Sequence, residues 1–422
     1  MDKSQYRPRL IDKRLDFFLS TFPAVAVEGP KWCGKTWTST MHSKSAFMLA
    51  DPTNNFSNRE IARLDVNKAL EGDAPHLVDE WQEVPAIWDA VRYKSDERSE
   101  KGRFILTGSS TPQLKGVVHS GTGRIASIAM HPMSLQESGD SSCAVSLSDV
   151  CNGNDIGVVT VPPPSVERIV ELVVRGGWPG SIGLPIEQAM AIPREYIDNI
   201  VKIDINRLDG IERDSEKVLK CLKSLARNES TTVSVSTIKD DIAEIDDSSL
   251  GIHTVAAYLD AFKRLFLTND VSPFSTFLRS PQRIKQAKKH RFCDPSLAAA
   301  LLDASPKSLM RDMRTFGFLF ESMALRDLEI YAESLDAKLC HYQDYGGSEI
   351  DAVVQFSDGS WSGFEVKLNP ADVDEAAAGL LSVASRFVRN PPRSLAVVVG
   401  VHGIAHRRSD GVYVLPLTAL MA

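Results

Sequence analysis

Gly29-Pro30-Lys31-Trp32-Cys33-Gly34-Lys35-Thr36 follows an apolar run, residues 24–27, and precedes a polar stretch, residues 38–43, able to open a helix. The spacing is G-x-x-x-x-G-K-[ST], set between a strand and a helix start, which is the context that gives it meaning. Glycines at both ends let backbone N–H groups turn inward around phosphate oxygens, and a helix N-terminus adds a field favourable to anions. Lys35 is expected to reach the β- and γ-phosphates of a nucleotide, and Thr36 a magnesium ion. The nucleotide-contacting stretch is then Gly29, Pro30, Lys31, Trp32, Cys33, Gly34, Lys35, Thr36 and Trp37, with Cys33 read as a small loop-filling residue.

Downstream apolar runs end in residues suited to that loop. Residues 76–80 read as a strand closing in two acids, Asp79 and Glu80. Asp79 suits a direct or indirect magnesium contact, and Glu80 could polarise an attacking water. A solvated acidic strand end is the plainer reading. Residues 104–110 form another buried strand, ending in Ser109 and Ser110. Those hydroxyls either hold water or sense a γ-phosphate, or simply close a turn. Arg124 follows a Gly-Thr-Gly turn ahead of a strand at 125–130. It reads either as a finger toward a phosphate of its own or a neighbouring subunit, or as a surface arginine.

On residues 29–36, 77–80, 106–110 and 123–135 the chain resembles a bacterial and archaeal family of AAA+-type P-loop ATPases. Members of that family carry a C-terminal restriction-endonuclease-like, PD-(D/E)xK domain of unknown function. The resemblance runs through nearly the whole chain. It implies ATP and Mg2+ as cofactors, a helical lid, and assembly in which one subunit's arginine meets another's nucleotide, hence a homo-oligomer. In such ATPases a glycine-x-proline turn of the lid packs on the adenine. Pro179, within Arg175-Gly176-Gly177-Trp178-Pro179-Gly180, would hold that place, an interhelix turn being the other reading.

Composition is that of an ordinary globular chain: 422 residues, 43% hydrophobic, 24% charged, net charge -7. That balance excludes a generally basic nucleic-acid binder, so any DNA contact needs a local patch. Six scattered cysteines, with no C-x-x-C pair, speak against a zinc site or a disulfide framework and fit a cytoplasmic protein. Residues 1–9 lack the apolar core of a signal peptide, and no window approaches a membrane span.

Residues 136–164, rich in Ser, Gly, Asp, Asn and Pro, read as an insertion or surface loop. Helical patterns at 216–227, 235–242 and 254–265, then a strand at 266–271, suit a winged helix. The densest positive run follows: Arg279, Arg283, Lys285, Lys288, Lys289, His290 and Arg291. It suits phosphate backbone contact, or else a solvated charged loop.

A third constellation lies near the C-terminus. A helix at 316–331 carries Glu321. Strand-like 348–354 carries Glu349 and Asp351, and 361–368 carries Glu365 and Lys367. Period-two alternation puts Glu349 with Asp351, and Glu365 with Lys367, on single faces. Pairing of the strands would join Asp351, Glu365 and Lys367, two metal-holding carboxylates beside a lysine able to orient water. This is a D…E-x-K pattern, but an ion-paired structural site fits it equally.

The expected architecture is an α/β P-loop AAA+ core at 1–135, an insertion and helical lid at 136–208, a winged-helix-like domain at 209–290, and a nuclease-like α/β domain at 291–422. The expected function is Mg-dependent ATP hydrolysis acting on or with DNA. The alternatives are an ATP-gated, metal-dependent DNA nuclease and a nucleotide-dependent interaction switch without a DNA role. The residues expected to act in catalysis are Glu80, Arg124, Asp351, Glu365 and Lys367. Those expected to hold metal are Thr36, Asp79, Asp351 and Glu365.

Overall fold

The run Ala24-Val25-Ala26-Val27 has no polar face, so a strand built from it must be covered on both sides. In the computed structural model, which describes residues 3–97, 100–111, 120–245, 250–275, 287–344 and 346–422, it is strand β1 (Ala24–Glu28). Ala24 and Ala26 pack with Val78, Phe104, Leu106, Trp81 and Trp88. Val25 and Val27 pack with Leu15, Leu19, Leu77, Ile105 and Ile128. Each such valine contributes about 1.5–3 kcal/mol on burial.

Strands β2 (Ser45–Met48), β3 (His76–Asp79), β4 (Phe104–Gly108) and β5 (Ile125–Ala129) join β1 in a five-stranded sheet of order β2-β3-β4-β1-β5. Every pairing is parallel. All carboxyl ends therefore share one edge, where the loop leaves β1 and the two acids leave β3. The chain passes from β1 across to β2 on one side and later returns to β5 on the other. Ligands of open α/β sheets collect outside the strand ends at such a change of direction. A helix not anticipated from sequence, Ala86–Glu97, buries Ile87, Trp88 and Val91 against this sheet.

The chain divides into two units. The first is Met1–Pro132 with Lys202–Arg213 and Asp260–Leu267, and the second is Met133–Val201, Asp214–Leu259 and Thr268–Ala422. These cut across the four expected domains at 1–135, 136–208, 209–290 and 291–422. The expected insertion at 136–164 is the clearest correction. Five of its apolar residues, Val145, Leu147, Val150, Cys151 and Val161, are buried. Strand β6 (Val145–Ser146) pairs with a strand at the C-terminus, Leu420–Met421. Strand β7 (Val159–Thr160) joins the large sheet of the second unit. Leu135 N–H donates to Asp327 Oδ2 at 2.9 Å, and Arg326, buried between Asp327 and Asp294, completes that anchor.

The large sheet of the second unit has eight strands. They are β7, β8 (Ser272–Pro273), β9 (Lys338–Gln343), β10 (Glu349–Gln355), β11 (Trp361–Lys367), β12 (Ser394–Val399), β13 (Ile404–Arg407) and β14 (Tyr413–Pro416), in the order β7-β13-β14-β12-β11-β10-β9-β8. β9, β10 and β11 are antiparallel neighbours, and β12 is parallel to β11. Helix Met313–Ser334 precedes the three antiparallel strands, and helix Val373–Ala384 stands between β11 and β12. Val373, Ala376, Ala377, Leu380 and Val383 pack with Ile350, Val353, Trp361 and Val397.

The three helices expected for a winged helix form, at Ser215–Arg227, Val235–Ile245 and Ile252–Arg264. The strand expected at 266–271 does not. Only isolated bridges, Thr268 to Phe292 and Val271 to Lys289, mark it. The unit boundary also falls within the third helix. Among the described residues no helix is long and apolar enough to cross a membrane.

Candidate functional site

The phosphate loop begins where β1 can no longer tolerate a side chain. A Cβ on Gly29 would stand 2.2 Å from Met130 O. Gly34 has φ 110, a conformation open to glycine, and opens helix Lys35–Met41. Helix N–H groups without intrahelical partners therefore face the loop. Trp32 takes φ 64 and is 64% exposed, whereas Cys33 is buried, with Sγ 3.6 Å from Met130 O. Lys31 Nζ pairs with Asp204 Oδ1 at 2.7 Å, and Trp37 is half-buried on the helix. Lys35 is buried, and its ammonium donates to Gly29 O at 2.9 Å and Pro30 O at 2.7 Å. It thus lies inside the loop that a phosphate would fill.

Asp79, the last residue of β3, and Glu80, the next, are bound into one network. Thr36 Oγ1 donates to Asp79 Oδ1 at 2.9 Å, and Thr107 Oγ1 donates to the same oxygen at 2.7 Å. Glu80 N–H donates to Thr107 Oγ1 at 2.9 Å. Ser109 Oγ donates to Glu80 Oε2 at 2.9 Å, and Gln82 Nε2 donates to both Glu80 Oε2 and Ser109 Oγ. Burial pushes the Asp79 carboxyl above its ordinary range; the Thr107 and Thr36 hydrogen bonds and Lys35 offset this, while Glu80 adds to it. A hydroxyl beside a carboxylate is a hard oxygen donor set suited to magnesium.

Sequence reasoning reached Thr36, Asp79, Glu80 and Ser109, but missed Thr107 and Gln82. The signal for Thr107 was a hydroxyl inside an apolar strand, which needs a partner once buried. Arg124 lies elsewhere. It precedes β5, with its carbonyl accepting from Ala24 N, so it stands at the amino edge of the sheet. Five strand residues, roughly 16 Å, separate that edge from the loop. There its Nε donates to Asp96 Oδ1 at 2.7 Å. Pro179 belongs to the second unit, in the short turn Pro179–Ser181, beside the buried Trp178.

The C-terminal constellation is assembled differently from its expected form. Against β9, the register of β10 shifts between Ile350 and Val353, so strict alternation fails through Asp351. A bulge of this kind re-aims a side chain. Asp351 Oδ2 accepts from Val366 N at 2.9 Å, tying it to β11 between Glu365 and Lys367. Lys367 Nζ donates to Glu365 Oε1 at 3.0 Å. Lys289 Nζ enters the same cluster, 2.8 Å from Glu321 Oε1 and 3.5 Å from Asp351 Oδ1.

Burial and the Asp351 charge push Glu365 up to about 8 and Glu321 up to about 7, with the lysines pulling back. Burial and the Lys289 charge push His341 down to about 4. Glu365, Lys367, Glu349 and Glu375 line an open cleft of about 480 Å³. Its carboxylate oxygens are suited to a divalent cation.

Among the described residues of the basic run, two of the cations are withdrawn from solvent. Lys289 and Arg291 are buried, Arg291 paired with Glu329, and His290 lies 2.8 Å from Asp270. Lys288 is exposed. Arg279, Arg283 and Lys285 lie outside the described residues.

Residues 21–139 match the family model described as "AAA domain". Residues 166–308 and 316–420 match two described as "Domain of unknown function", DUF8612 and DUF4143. The chain is 24% identical over 360 residues to the uncharacterized protein Rv2008c of Mycobacterium tuberculosis, a span of 84% of this chain and 72% of that protein. The same figures hold for the uncharacterized protein Mb2031c of Mycobacterium bovis. A solved structure, the Walker-type ATPase PABY2304 of Pyrococcus abyssi, is similar at TM-score 0.43 and 15% identity, covering 71% of this chain and 97% of that one. The AAA-domain match over the phosphate loop supports a P-loop ATPase family, with ATP as the nucleotide. The match over residues 316–420 names no activity.

Glu365 generates a pH prediction. Its folded pKa, about 8, lies above the unfolded value of 4.5. The folded state therefore binds this proton more tightly. Its stabilisation is complete below pH 4.5 and is lost as pH rises through 8. Glu365→Gln should lack that slope. Between pH 5.5 and 8.5 the wild type should lose on the order of 1–3 kcal/mol more stability than the variant, read from denaturation midpoints. Parallel pH profiles would contradict the buried, cation-poor cluster.

Proposed function

We propose that the chain binds Mg-ATP at residues 29–37 and hydrolyses it, with Glu80 polarising the attacking water, and that it acts on or with DNA. The observation that carries the first part is the network running from Thr36 through Asp79 and Thr107 to Glu80. It ties the residue beside the γ-phosphate seat to the base by hydrogen bonds alone. On nucleotide binding, Lys35 exchanges the Gly29 and Pro30 carbonyls for phosphate oxygens. Thr36 Oγ1 and Asp79 would hold magnesium, which would supply positive charge against that developing on the phosphates. Glu80 then accepts the water proton. Arg124, at the far edge of its own sheet, serves as a finger only toward a neighbouring subunit's nucleotide, which requires a homo-oligomer.

DNA would enter at the basic run through Lys288, since Lys289 and Arg291 are paired with Glu321 and Glu329. The cysteines are free, in keeping with a cytoplasmic setting. A nucleotide-dependent switch without DNA is the competing account of the first unit.

The test is ATP turnover with and without duplex DNA. Glu80→Gln should keep Mg-ATP bound while cutting turnover about 100-fold or more, because an amide cannot take the proton. Wild-type turnover in that variant would remove Glu80 as the base. No effect of DNA on turnover and no DNA binding would favour the switch.

A second reading has its own observation. Asp351, Glu365 and Lys367 meet at neighbouring strands in a helix, three strands, helix, strand order, as in PD-(D/E)xK nucleases. The ion set suited to this cleft is magnesium or manganese. If the site cuts DNA, metal-dependent cleavage should vanish in Glu365→Ala and Lys367→Ala while ATPase activity persists. Absence of cleavage by wild type on duplex, single-stranded and branched DNA with either metal would leave a binding domain of nuclease-like fold.

A further inference from the structure

We propose that Gln82 is the positioning residue of the Glu80 base, holding its carboxylate in one orientation at the nucleotide edge. The inference rests on the reading of Glu80 as the base and goes beyond it in assigning Gln82.

The local chain is shaped to bring this about. Glu80 sits at φ 57, ψ 49, in the left-handed region that a residue with a Cβ seldom adopts. Strand β3 therefore ends in an abrupt turn, and the chain passes at once into a single 3-10 turn, Trp81–Glu83. That turn folds Gln82 back toward the side chain two residues before it. Space for the amide comes from Gly108, the last residue of β4. A Cβ there would stand 2.9 Å from Trp81 Nε1 and 3.4 Å from Gln82 Oε1.

The direction of the hydrogen bonds is fixed. An ionised carboxylate only accepts, so Ser109 Oγ must give its single proton to Glu80 Oε2, at 2.9 Å. The hydroxyl is then left to accept, and Gln82 Nε2 donates to it at 3.2 Å. The second amide proton goes to Glu80 Oε2 directly. Both donors of one amide are spent on the base and on the hydroxyl that supports it. Reversing the amide would set Gln82 Oε1 against a carboxylate oxygen.

The other end of the amide shows what the arrangement is for. Gln82 Oε1 is buried, and among the described residues no donor reaches it. A buried acceptor left unpaired carries a cost, and a residue serving only local packing would satisfy both ends. Here the donor end is fully used and the acceptor end is not. Two donors converge on Oε2, and among the described residues no hydrogen bond reaches Oε1 of Glu80. That leaves one carboxylate oxygen held and the other open to take a proton from water.

A carboxylate on a flexible stem is a base only in the fraction of time it is aimed. Without Gln82 that fraction falls, while the phosphate loop, Thr36 and Asp79 keep their own contacts. The effect therefore belongs to turnover and not to nucleotide affinity.

The experiment uses the full chain and Mg-ATP. Gln82→Met keeps the volume and removes both donors. It should lower kcat about tenfold or more and leave KM and the affinity for Mg-ATP within about twofold. Gln82→Glu keeps the shape and puts a like charge beside Glu80, so it should lower kcat at least as far. This second variant decides the matter if Gln82→Met does not fold. In the Glu80→Gln background, Gln82→Met should cause no further loss of residual turnover, because the group it positions is gone. Wild-type kcat in both single variants overturns the proposal. So does the same fractional loss with and without the Glu80 carboxylate, which marks a structural role. Wild-type turnover in Glu80→Gln overturns the base and the positioning residue together. Loss in Glu80→Gln with none in the Gln82 variants overturns the positioning residue alone.

Discussion

Asp79 Oδ1 is the point on which the carboxyl edge of the five-stranded sheet depends. It accepts from Thr36 on the phosphate loop and from Thr107 on β4, and Thr107 in turn accepts from the Glu80 amide. One buried oxygen thereby fixes the loop helix, the central strand and the residue proposed as the base relative to one another. The parallel sheet makes this possible, because only parallel strands deliver their carboxyl ends to one edge. Burial disfavours charge on Asp79, and hydroxyl donors with Lys35 restore part of what burial removes.

The first unit was legible where its chemistry is local. A glycine-bounded loop between a strand and a helix needs only consecutive residues, and an Ala-Val-Ala-Val run announces a strand covered on both faces. The place of Asp79 and Glu80 at a strand end was legible for the same reason. Arg124 was not, because sequence order does not say at which edge of a sheet a residue falls. The register with β1 does, setting Arg124 beside Ala24 instead of Gly29.

In the second unit the misleading signal was polarity. Residues 136–164 look like a surface loop, yet five buried apolar positions are enough to seat them in the fold and pair them with the C-terminus. The run 288–291 looks like a solvated charged face. Its bridges to Val271 and Thr231 make it an extended segment, and period two then turns Lys289 and Arg291 inward. The same lysine that seemed fitted to DNA is a counter-ion for Glu321 and Asp351. Burial, and then the Asp351 charge in a cluster with more carboxylates than ammonium groups, makes Glu365 and Glu321 resist ionisation.

The account as a whole stands on the loop at Gly29–Thr36 being a phosphate seat with Lys35 as its cation. Calorimetric titration of Mg-ATP into the full chain and into Lys35→Ala tests this most directly. The account predicts saturable binding by the wild type and affinity lowered at least about tenfold in the variant, since the loop then lacks its phosphate cation. Equal affinity in the two proteins would contradict it.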